Sequence, residues 1–245
     1  MKLNDKEFPY SFSQNRLYND CPRKYKYRYV DGIKEPTNEN LELGSAIHKV
    51  FELYHNVVGV EPVSKTLLEE YQNARDIIIA LKGNMYFTQL VTEFDMLCEA
   101  YPMFNIGREY KIEADDFVAV IDLVNIYASA SHKYSLADYK VTKKPKTDAS
   151  IYDEGQLLIY KYLWCQEHPV VKPNDVAVQY INILPYLAPQ IITVTKPQVP
   201  SFETCENLFN DVQKTKENIL AGEFPKKKKW CKWCYYKDIC DKDNT

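Results

Sequence analysis

Glycine is scarce in this 245-residue chain, which has seven glycines, or about 3% where average usage is about 7%. This scarcity excludes collagen-like and glycine-rich low-complexity chains. The glycines form neither the G-x-G-x-x-G of dinucleotide-binding folds nor the G-x-S-x-G of hydrolases. They also do not form the G-x-x-x-x-G-K-[ST] phosphate loop, so a helicase motor within this sequence is excluded.

Long apolar runs are also missing. No run approaches the roughly 18 residues that cross a bilayer, and the first residues, MKLNDKE, lack the apolar core of a signal peptide. With 45% apolar and 27% charged residues, the composition indicates a packed core rather than disorder. We therefore expect a soluble, cytoplasmic protein that does not interact with membranes.

Positive charge is not in excess, because 31 lysines and arginines face 34 aspartates and glutamates, for a net charge of −3. This average hides three basic clusters, at 23–28, 140–146 and 226–229, the first interleaved with tyrosines and the last followed by Trp230. Such clusters are either solvated surface or contacts for phosphates and bases. The candidate nucleic-acid-binding residues are Lys24, Lys26, Lys143, Lys144, Lys228 and Lys229.

Seven cysteines in a cytoplasmic chain are expected to be mostly reduced. Three stand alone in apolar, helical surroundings and are predicted to be buried packing residues. They are Cys98, Cys165 and Cys205. The tail instead has the spacing Cys-x2-Cys-x5-Cys, which suits a metal or cluster that needs one more ligand, for which Cys21 is the candidate. Zinc and an iron–sulfur cluster suit four thiolates equally well, but one distant cysteine plus a C-terminal three favours the cluster. The candidate ligands are Cys21, Cys231, Cys234 and Cys240.

Hydrophobic periodicity predicts an α/β fold with a small central mixed sheet flanked by helices, a helical lobe and a cysteine-rich tail. The predicted helices are one that begins at Ser11 or Ser13 and runs toward Cys21, then 43–58, 64–82, 85–100, 154–166 and 202–220. The predicted strands are one or two within 110–127, then 134–141, 176–184 and 191–194.

Two carboxylates lie on neighbouring predicted strands. Asp122 interrupts a stretch that is apolar on both faces, and such a carboxylate is costly unless a cation meets it. Asp138 and Lys140 are two residues apart and share a face. If a hairpin turn lies at 128–132, Asp122 faces Asp138 with their Cβ atoms about 5 Å apart. The pair would share a proton or bind a hard cation such as Mg²⁺ or Mn²⁺; alternatively, Asp138 and Lys140 form a surface pair and Asp122 caps a turn.

Polar residues on two predicted helices fit the same site. His48 lies on the polar face of the helix 43–58 together with Gly44, which permits close approach of another backbone. Gln156 and Tyr160 are four residues apart and share one helix face. Taken alone, a histidine such as His48 is more often an ordinary surface or core residue, and Gln156 and Tyr160 are weak evidence for a site.

Taken in order, these motifs resemble the RecB-like branch of the PD-(D/E)XK nucleases. The resembling segments are 44–48 (GSAIH), 121–122 (ID), 138–140 (DYK) and 156–160 (QLLIY). The segment 13–29 and the three C-terminal cysteines resemble the iron–sulfur subgroup, which includes AddB-type recombination nucleases and CRISPR-associated adaptation nucleases. The resemblance extends from Ser13 to Cys240.

The resemblance implies roles for individual residues. A [4Fe-4S] cluster would be held by Cys21, Cys231, Cys234 and Cys240. The catalytic Mg²⁺ or Mn²⁺ would be bound by His48, Asp122, Asp138 and the carbonyl of Tyr139. Lys140 would orient or activate the attacking water, with Gln156 and Tyr160 in support. Asp138 stands where many members carry Glu, and Glu109 matches a further acidic position in some relatives.

The function expected from this resemblance is a metal-dependent DNA exonuclease that acts on single strands or duplex ends, with a helicase or recombination protein as a possible partner. We expect one nuclease domain over 1–245. Its core would be 43–195 with a helical insertion at about 60–105, and its cluster region would be 11–30 plus 221–245. The alternative is a non-catalytic nucleic-acid-binding subunit in which a zinc or iron–sulfur site links the N-terminal and C-terminal segments.

Overall fold

The computed structural model describes residues 2–3, 6–7, 9–57, 64–100, 104–114, 116–126, 132–227 and 231–243. Lys228, Lys229 and most of the predicted turn at 128–132 lie outside the described residues. The chain divides into two compact units. The terminal unit comprises Met1–Pro36, Ile112–Ala119 and Glu206–Thr245, and the core unit comprises Thr37–Lys111 and Val120–Cys205.

The N-terminal segment belongs to the terminal unit. After two short antiparallel strands, β1 (Lys2–Leu3) and β2 (Lys6–Glu7), helix α1 (Phe12–Asp20) begins at Ser11, whose hydroxyl accepts from the Gln14 N–H. A short helix α2 (Pro22–Tyr25) and a π-helical turn (Lys26–Val30) follow. Ser11 is therefore the cap that ends the extended chain and starts this helical segment.

Three long helices begin the core unit. They are α3 (Glu39–Val57), α4 (Lys65–Lys82) and α5 (Asn84–Ala100). Helix α3 starts earlier than predicted because Asn38 Oδ1 accepts from the Leu41 N–H at 3.0 Å, a capping bond at the helix start. The apolar faces of the three helices pack in one hydrophobic core with β-strand residues such as Ile181 and Ile183. None of the described helices is both long and apolar enough to cross a membrane.

In the described part of the chain, five strands form a mixed sheet in the order β3-β4-β5-β6-β7. The strands are β3 (Phe104–Ala114), β4 (Phe117–Ile126), β5 (Tyr134–Val141), β6 (Val176–Ile183) and β7 (Ile192–Val194). Strands β5 and β6 are parallel, whereas β4–β5 and β6–β7 are antiparallel. The predicted α/β architecture, with a mixed sheet flanked by helices, is confirmed.

The register of β4 and β5 is the one the hairpin argument predicts. Leu123 pairs with Ala137 and Val124 with Leu136. Continuing this register by one residue brings Asp122 opposite Asp138. The register matters because a shift by one residue would send each side chain to the other face of the sheet.

The connection from β5 to β6 contains two helices where one was predicted. Helix α6 (Asp148–Glu154) starts with a capping box between Thr147 and Ser150, and α7 (Gln156–Glu167) follows. Gly155 separates them with φ 75°, a left-handed conformation that favours glycine. The break places Gln156 in the first turn of α7.

The C-terminal segment contains α8 (Phe202–Leu220), a 3₁₀ turn (Cys231–Trp233) and α9 (Lys237–Lys242). It is tied to the N-terminal segment within the terminal unit. Arg23 Nε donates to the carbonyl of Phe224 at 2.9 Å, and Tyr236 Oη donates to the carbonyl of Ile33 at 2.8 Å. Stretches about 200 positions apart are thus joined by hydrogen bonds, whatever the cysteines bind.

Candidate metal centre and active site

Three side chains from three elements of the core unit converge. His48 from α3, Glu109 from β3 and Asp122 from β4 offer ligand atoms that all lie within 4.8 Å of one another. His48 Nδ1 lies 3.4 Å from Asp122 Oδ1 and 4.0 Å from Glu109 Oε1. Because oxygen and imidazole ligands suit hard or borderline divalent ions, this group fits a cation such as Mg²⁺ or Mn²⁺.

The other ring nitrogen of His48 contacts the backbone. His48 Nε2 lies 3.1 Å from the carbonyl oxygen of Tyr139, which accepts when Nε2 carries the proton. When a cation is bound, that tautomer would offer the Nδ1 lone pair to it, the usual arrangement of a metal-ligating histidine; without a cation, a proton on Nδ1 faces the carboxylate of Asp122. The Tyr139 carbonyl, a predicted metal ligand, is therefore engaged by His48 in this structure.

Glu109 is the member of the group that sequence analysis left out of the ligand set. Its φ of 48° is unusual for a residue with a side chain within a strand. Such backbone strain recurs at functional sites. The sequence holds one further signal: a two-residue turn at 115–116 would put 109 opposite 122. The strained φ itself leaves no mark in the sequence.

Asp138 belongs to a second network beside this group. Its Oδ2 lies 2.5 Å from Lys140 Nζ, and its Oδ1 accepts from Gln156 Nε2 at 3.0 Å. Lys140 Nζ also donates to Gln156 Oε1 at 2.9 Å, and Gln156 Nε2 donates to Tyr160 Oη at 2.6 Å. The structure thus brings together the four predicted residues Asp138, Lys140, Gln156 and Tyr160.

Asp122 connects the two networks. Its Oδ2 accepts from the Tyr139 N–H at 2.6 Å, while its Oδ1 faces His48. Both aspartates are buried, Asp122 with 7% and Asp138 with 3% exposure. Among the described residues, the grouping within 4.8 Å includes Asp122 but not Asp138.

The site holds more negative charge than its own cations balance. Burial, then the charge of Asp122, raises the pKa of Glu109. Burial raises the pKa of Asp138 to about 6, although Lys140 opposes the shift. Burial lowers the pKa of His48, but the hydrogen bond to Asp122 and the surrounding carboxylates outweigh it and raise this pKa overall. A divalent cation would relieve this crowding of carboxylates.

An open groove of about 500 Å³ leads along α3 to His48 and Glu109. Gly44 lies in this groove, and a Cβ added there would meet nothing within 4 Å. Packing within the protein therefore does not require glycine at this position. The space beside the helix backbone is open to a ligand.

The four tail-site cysteines line one cavity of about 750 Å³ in the terminal unit. Within the described residues, no three of their sulfurs lie within 4.8 Å of one another. Tetrahedral zinc, with Zn–S bonds of about 2.3 Å, holds its sulfurs about 3.8 Å apart. Among these described residues, a converged group of three cysteine sulfurs is therefore not evident. The cavity is lined by Cys21, Cys231, Cys234 and Cys240.

The other cysteines differ in burial. Cys165 and Cys205 are buried, as predicted, whereas Cys98 is half-buried. The prediction for Cys98 is wrong because Cys98 lies in the last turns of α5, at the border of the core and not within it.

The predicted basic residues have different surroundings. Lys24 pairs with Glu35 at 3.3 Å and Lys26 with Asp31 at 2.8 Å, so carboxylates balance both charges. Lys143 and Lys144 lie on the exposed segment after β5. The geometry thus leaves this second pair more accessible to a polyanion.

Comparisons with known proteins found one family model and several solved structures that match. The family model for the PD-(D/E)XK nuclease superfamily matches residues 9–241. A solved structure named "Putative exonuclease", from Eubacterium rectale, superposes with a TM-score of 0.56 at 12% identity and covers 96% of this chain and 88% of that one. At this identity the likeness concerns the fold alone.

The alignment with a structure named SSO0001 covers 90% of this chain and 95% of that one at 14% identity. Its TM-score of 0.35 is too low to indicate a shared fold. No curated protein matches the chain. The family match spans nearly the whole sequence, and this chain belongs to the PD-(D/E)XK nuclease superfamily.

Proposed function

We propose that this protein is a divalent-metal-dependent DNA nuclease of the RecB-like branch that degrades DNA from its ends. The observation that carries the proposal is the convergence of His48, Glu109 and Asp122 next to the Asp138–Lys140 pair. Strand pairing and helix α3 hold all five side chains at one place in the core unit. An acidic site with an adjacent ammonium suits a phosphodiester substrate.

The cation would be held by His48, Glu109 and Asp122, with Asp138 and the Tyr139 carbonyl as further candidate ligands. When bound, a divalent cation polarises the phosphate and lowers the pKa of water. Lys140 donates hydrogen bonds from a position beside the carboxylates, where it orients the attacking water and offsets charge that grows on the phosphate.

Gln156 and Tyr160 position Lys140 and Asp138. The amide nitrogen of Gln156 donates to both Asp138 and the Tyr160 hydroxyl, so its oxygen faces Lys140. The network therefore fixes the orientation of the amide and, through it, the ammonium and the carboxylate. Gln156 and Tyr160 are positioning residues in this proposal.

End dependence is supported by the resemblance to exonucleases and by the name of the Eubacterium rectale protein. A helicase or recombination protein would be a suitable partner, because it would supply unwound ends. The test is incubation of end-labelled linear DNA and closed circular DNA with Mn²⁺, with the Lys140→Ala variant as control. Degradation of the linear DNA alone is expected. Cutting of the circle contradicts end dependence, and no cutting of either DNA contradicts the nuclease proposal.

We also propose that Cys21, Cys231, Cys234 and Cys240 hold a [4Fe-4S] cluster. The support is that all four cysteines line one cavity of the terminal unit and that their spacing resembles that of the iron–sulfur nucleases. In a cluster each thiolate binds a different iron, so the sulfurs need not converge on one point. Protein purified anaerobically should be brown and contain iron and acid-labile sulfide in equal amounts. Stoichiometric zinc without iron would contradict this proposal.

A further inference from the structure

Two aromatic side chains of the terminal unit, two residues apart in the sequence, are exposed. Trp233, in the 3₁₀ turn, is 78% exposed and Tyr235 is 50% exposed, whereas Trp164 is 1% exposed. An exposed tryptophan forgoes the stabilisation that burial of its large ring supplies. Neither ring is needed to fill the core, so both are available to a ligand.

The chain around these rings is basic. Residues 226–243 contain seven lysines and three aspartates. Lys232 Nζ lies 5.2 Å from the centre of the Trp233 ring, a cation–π distance. The ammonium groups of Lys226 and Lys227 donate to backbone carbonyls, so these bonds do not neutralise their charge.

The exposed rings lie on a fixed support. Tyr236, the residue after Tyr235, is fully buried. Its hydroxyl donates to the carbonyl of Ile33, and its ring packs on that of Tyr27 with ring centres 5.6 Å apart. The Cys234 N–H donates to the Cys231 carbonyl at 3.2 Å and closes the turn that carries Trp233. A preorganised platform loses little conformational entropy when a ligand binds.

From these contacts we infer that Trp233 and Tyr235 form a stacking platform for unpaired bases, with the neighbouring lysines on the phosphates. Exposed aromatic rings among cations are the usual means of binding single-stranded nucleic acid. Protein interfaces also use tryptophan and tyrosine but are depleted in lysine, and the bases of a duplex already stack on each other. The inference rests on the proposed function for its choice of DNA as the ligand.

The test measures binding of fluorescent oligo(dT) to the full chain by anisotropy, with a chelator present so that no DNA is cut. Trp233→Ala should weaken binding about 5- to 150-fold, and Tyr235→Ala should weaken it as well. Trp233→Phe should restore most of the affinity, because phenylalanine keeps a stacking ring. Tyr152→Ala, which removes a 48% exposed tyrosine of the core unit, is the matched control and should bind as the wild type does.

Two further ligands separate stacking from a structural role. On an abasic strand, wild type and Trp233→Ala should bind equally, since no base is present to stack. On oligo(dT), Lys232→Ala should lower the slope of log affinity against log salt by about 0.7, whereas Trp233→Ala should leave the slope unchanged. Equal affinity of wild type and Trp233→Ala for oligo(dT), or an equal loss on both strands, overturns the inference. Because cleavage is not measured, binding with these properties stands even if the nuclease proposal fails.

Discussion

Different kinds of contact stabilise the interior of each unit. The core unit is packed with aliphatic and aromatic side chains: every residue of β6 is buried, and Phe51 and Phe94 stack with ring centres 3.8 Å apart. The terminal unit, about half as long, packs tyrosine rings such as that of Tyr25 and joins its distant stretches by side-chain hydrogen bonds to carbonyls, such as those of Arg23 and Tyr236. Each such bond adds only about 0.5–1.5 kcal/mol net. We therefore expect the core unit to keep its fold without a bound group, and the terminal unit to depend on its cysteine ligands.

The largest expected effect is a loss of DNA cleavage by the core unit while its fold is kept. Asp122→Asn keeps an oxygen that accepts from the Tyr139 N–H but removes the charge next to His48 and Glu109. Cleavage of linear DNA with Mn²⁺ should fall by about 10³-fold or more, with little change in the melting temperature. Asp153→Asn, an exposed carboxylate on α6, is the control and should cleave normally. Unchanged activity in Asp122→Asn would remove it from the ligand set.

The second effect concerns the terminal unit. Cys234→Ser removes one proposed cluster ligand, and ligation of a bound group contributes directly to the folding free energy of the segment that holds it. Calorimetry should resolve an early transition in this variant, while the transition of the core unit stays in place. Iron content should fall in parallel.

Cys98→Ser is the matched control, because Cys98 lies in the core unit. It should keep both the iron and the wild-type melting profile. A single transition shifted as a whole in Cys234→Ser would contradict the contrast between the two units.

The third effect concerns a charged side chain, Lys161, that is buried within the apolar core unit. Lys161 is fully buried and its ammonium donates to the carbonyls of Val176, at 2.9 Å, and Pro200, at 2.7 Å. Lys161→Met leaves both carbonyls without this donor, so the free energy of unfolding at pH 7 should fall by about 2 kcal/mol. Denaturant titration measures this change.

The pH dependence of stability gives Lys161 a second signature. Burial lowers its pKa below the ordinary 10.5, so at alkaline pH the unfolded chain binds a proton that the folded chain has released. Between the lowered pKa and 10.5, this group makes stability rise with pH. The difference in stability between wild type and Lys161→Met should therefore grow over that range. A constant difference would mean that Lys161 keeps its proton in the folded state.

Sequence patterns predicted the regular elements well and the details of the site less well. The assumed turn at 128–132 predicted the register of β4 and β5, and continuing the observed pairing of Leu123 with Ala137 by one residue brings Asp122 opposite Asp138. Periodicity missed α6, a short helix that depends on the capping box at Thr147. Periodicity also gave no indication of Glu109, which only the resemblance to the nucleases pointed to as a further acidic position, because a strained φ and convergence of three elements are tertiary properties.

The smallest expected effect is a gain in stability combined with a loss of activity when Gly44 is replaced. Gly44 lies inside α3, where glycine costs about 1 kcal/mol relative to alanine. An added Cβ meets nothing within 4 Å. Gly44→Ala should therefore raise the melting temperature by about 2–4 °C yet lower activity several-fold, if the substrate backbone lies against the helix in the groove beside His48. Activity at several DNA concentrations would show the loss as a higher KM.

The control is Asn73→Ala, at an exposed position inside α4, where alanine also favours the helix. It should raise stability and leave cleavage unchanged. If Gly44→Ala gains stability and keeps full activity, no substrate lies against this turn of α3. Opposite changes in stability and activity would instead show that the core unit keeps a destabilising residue because the substrate occupies the space beside it.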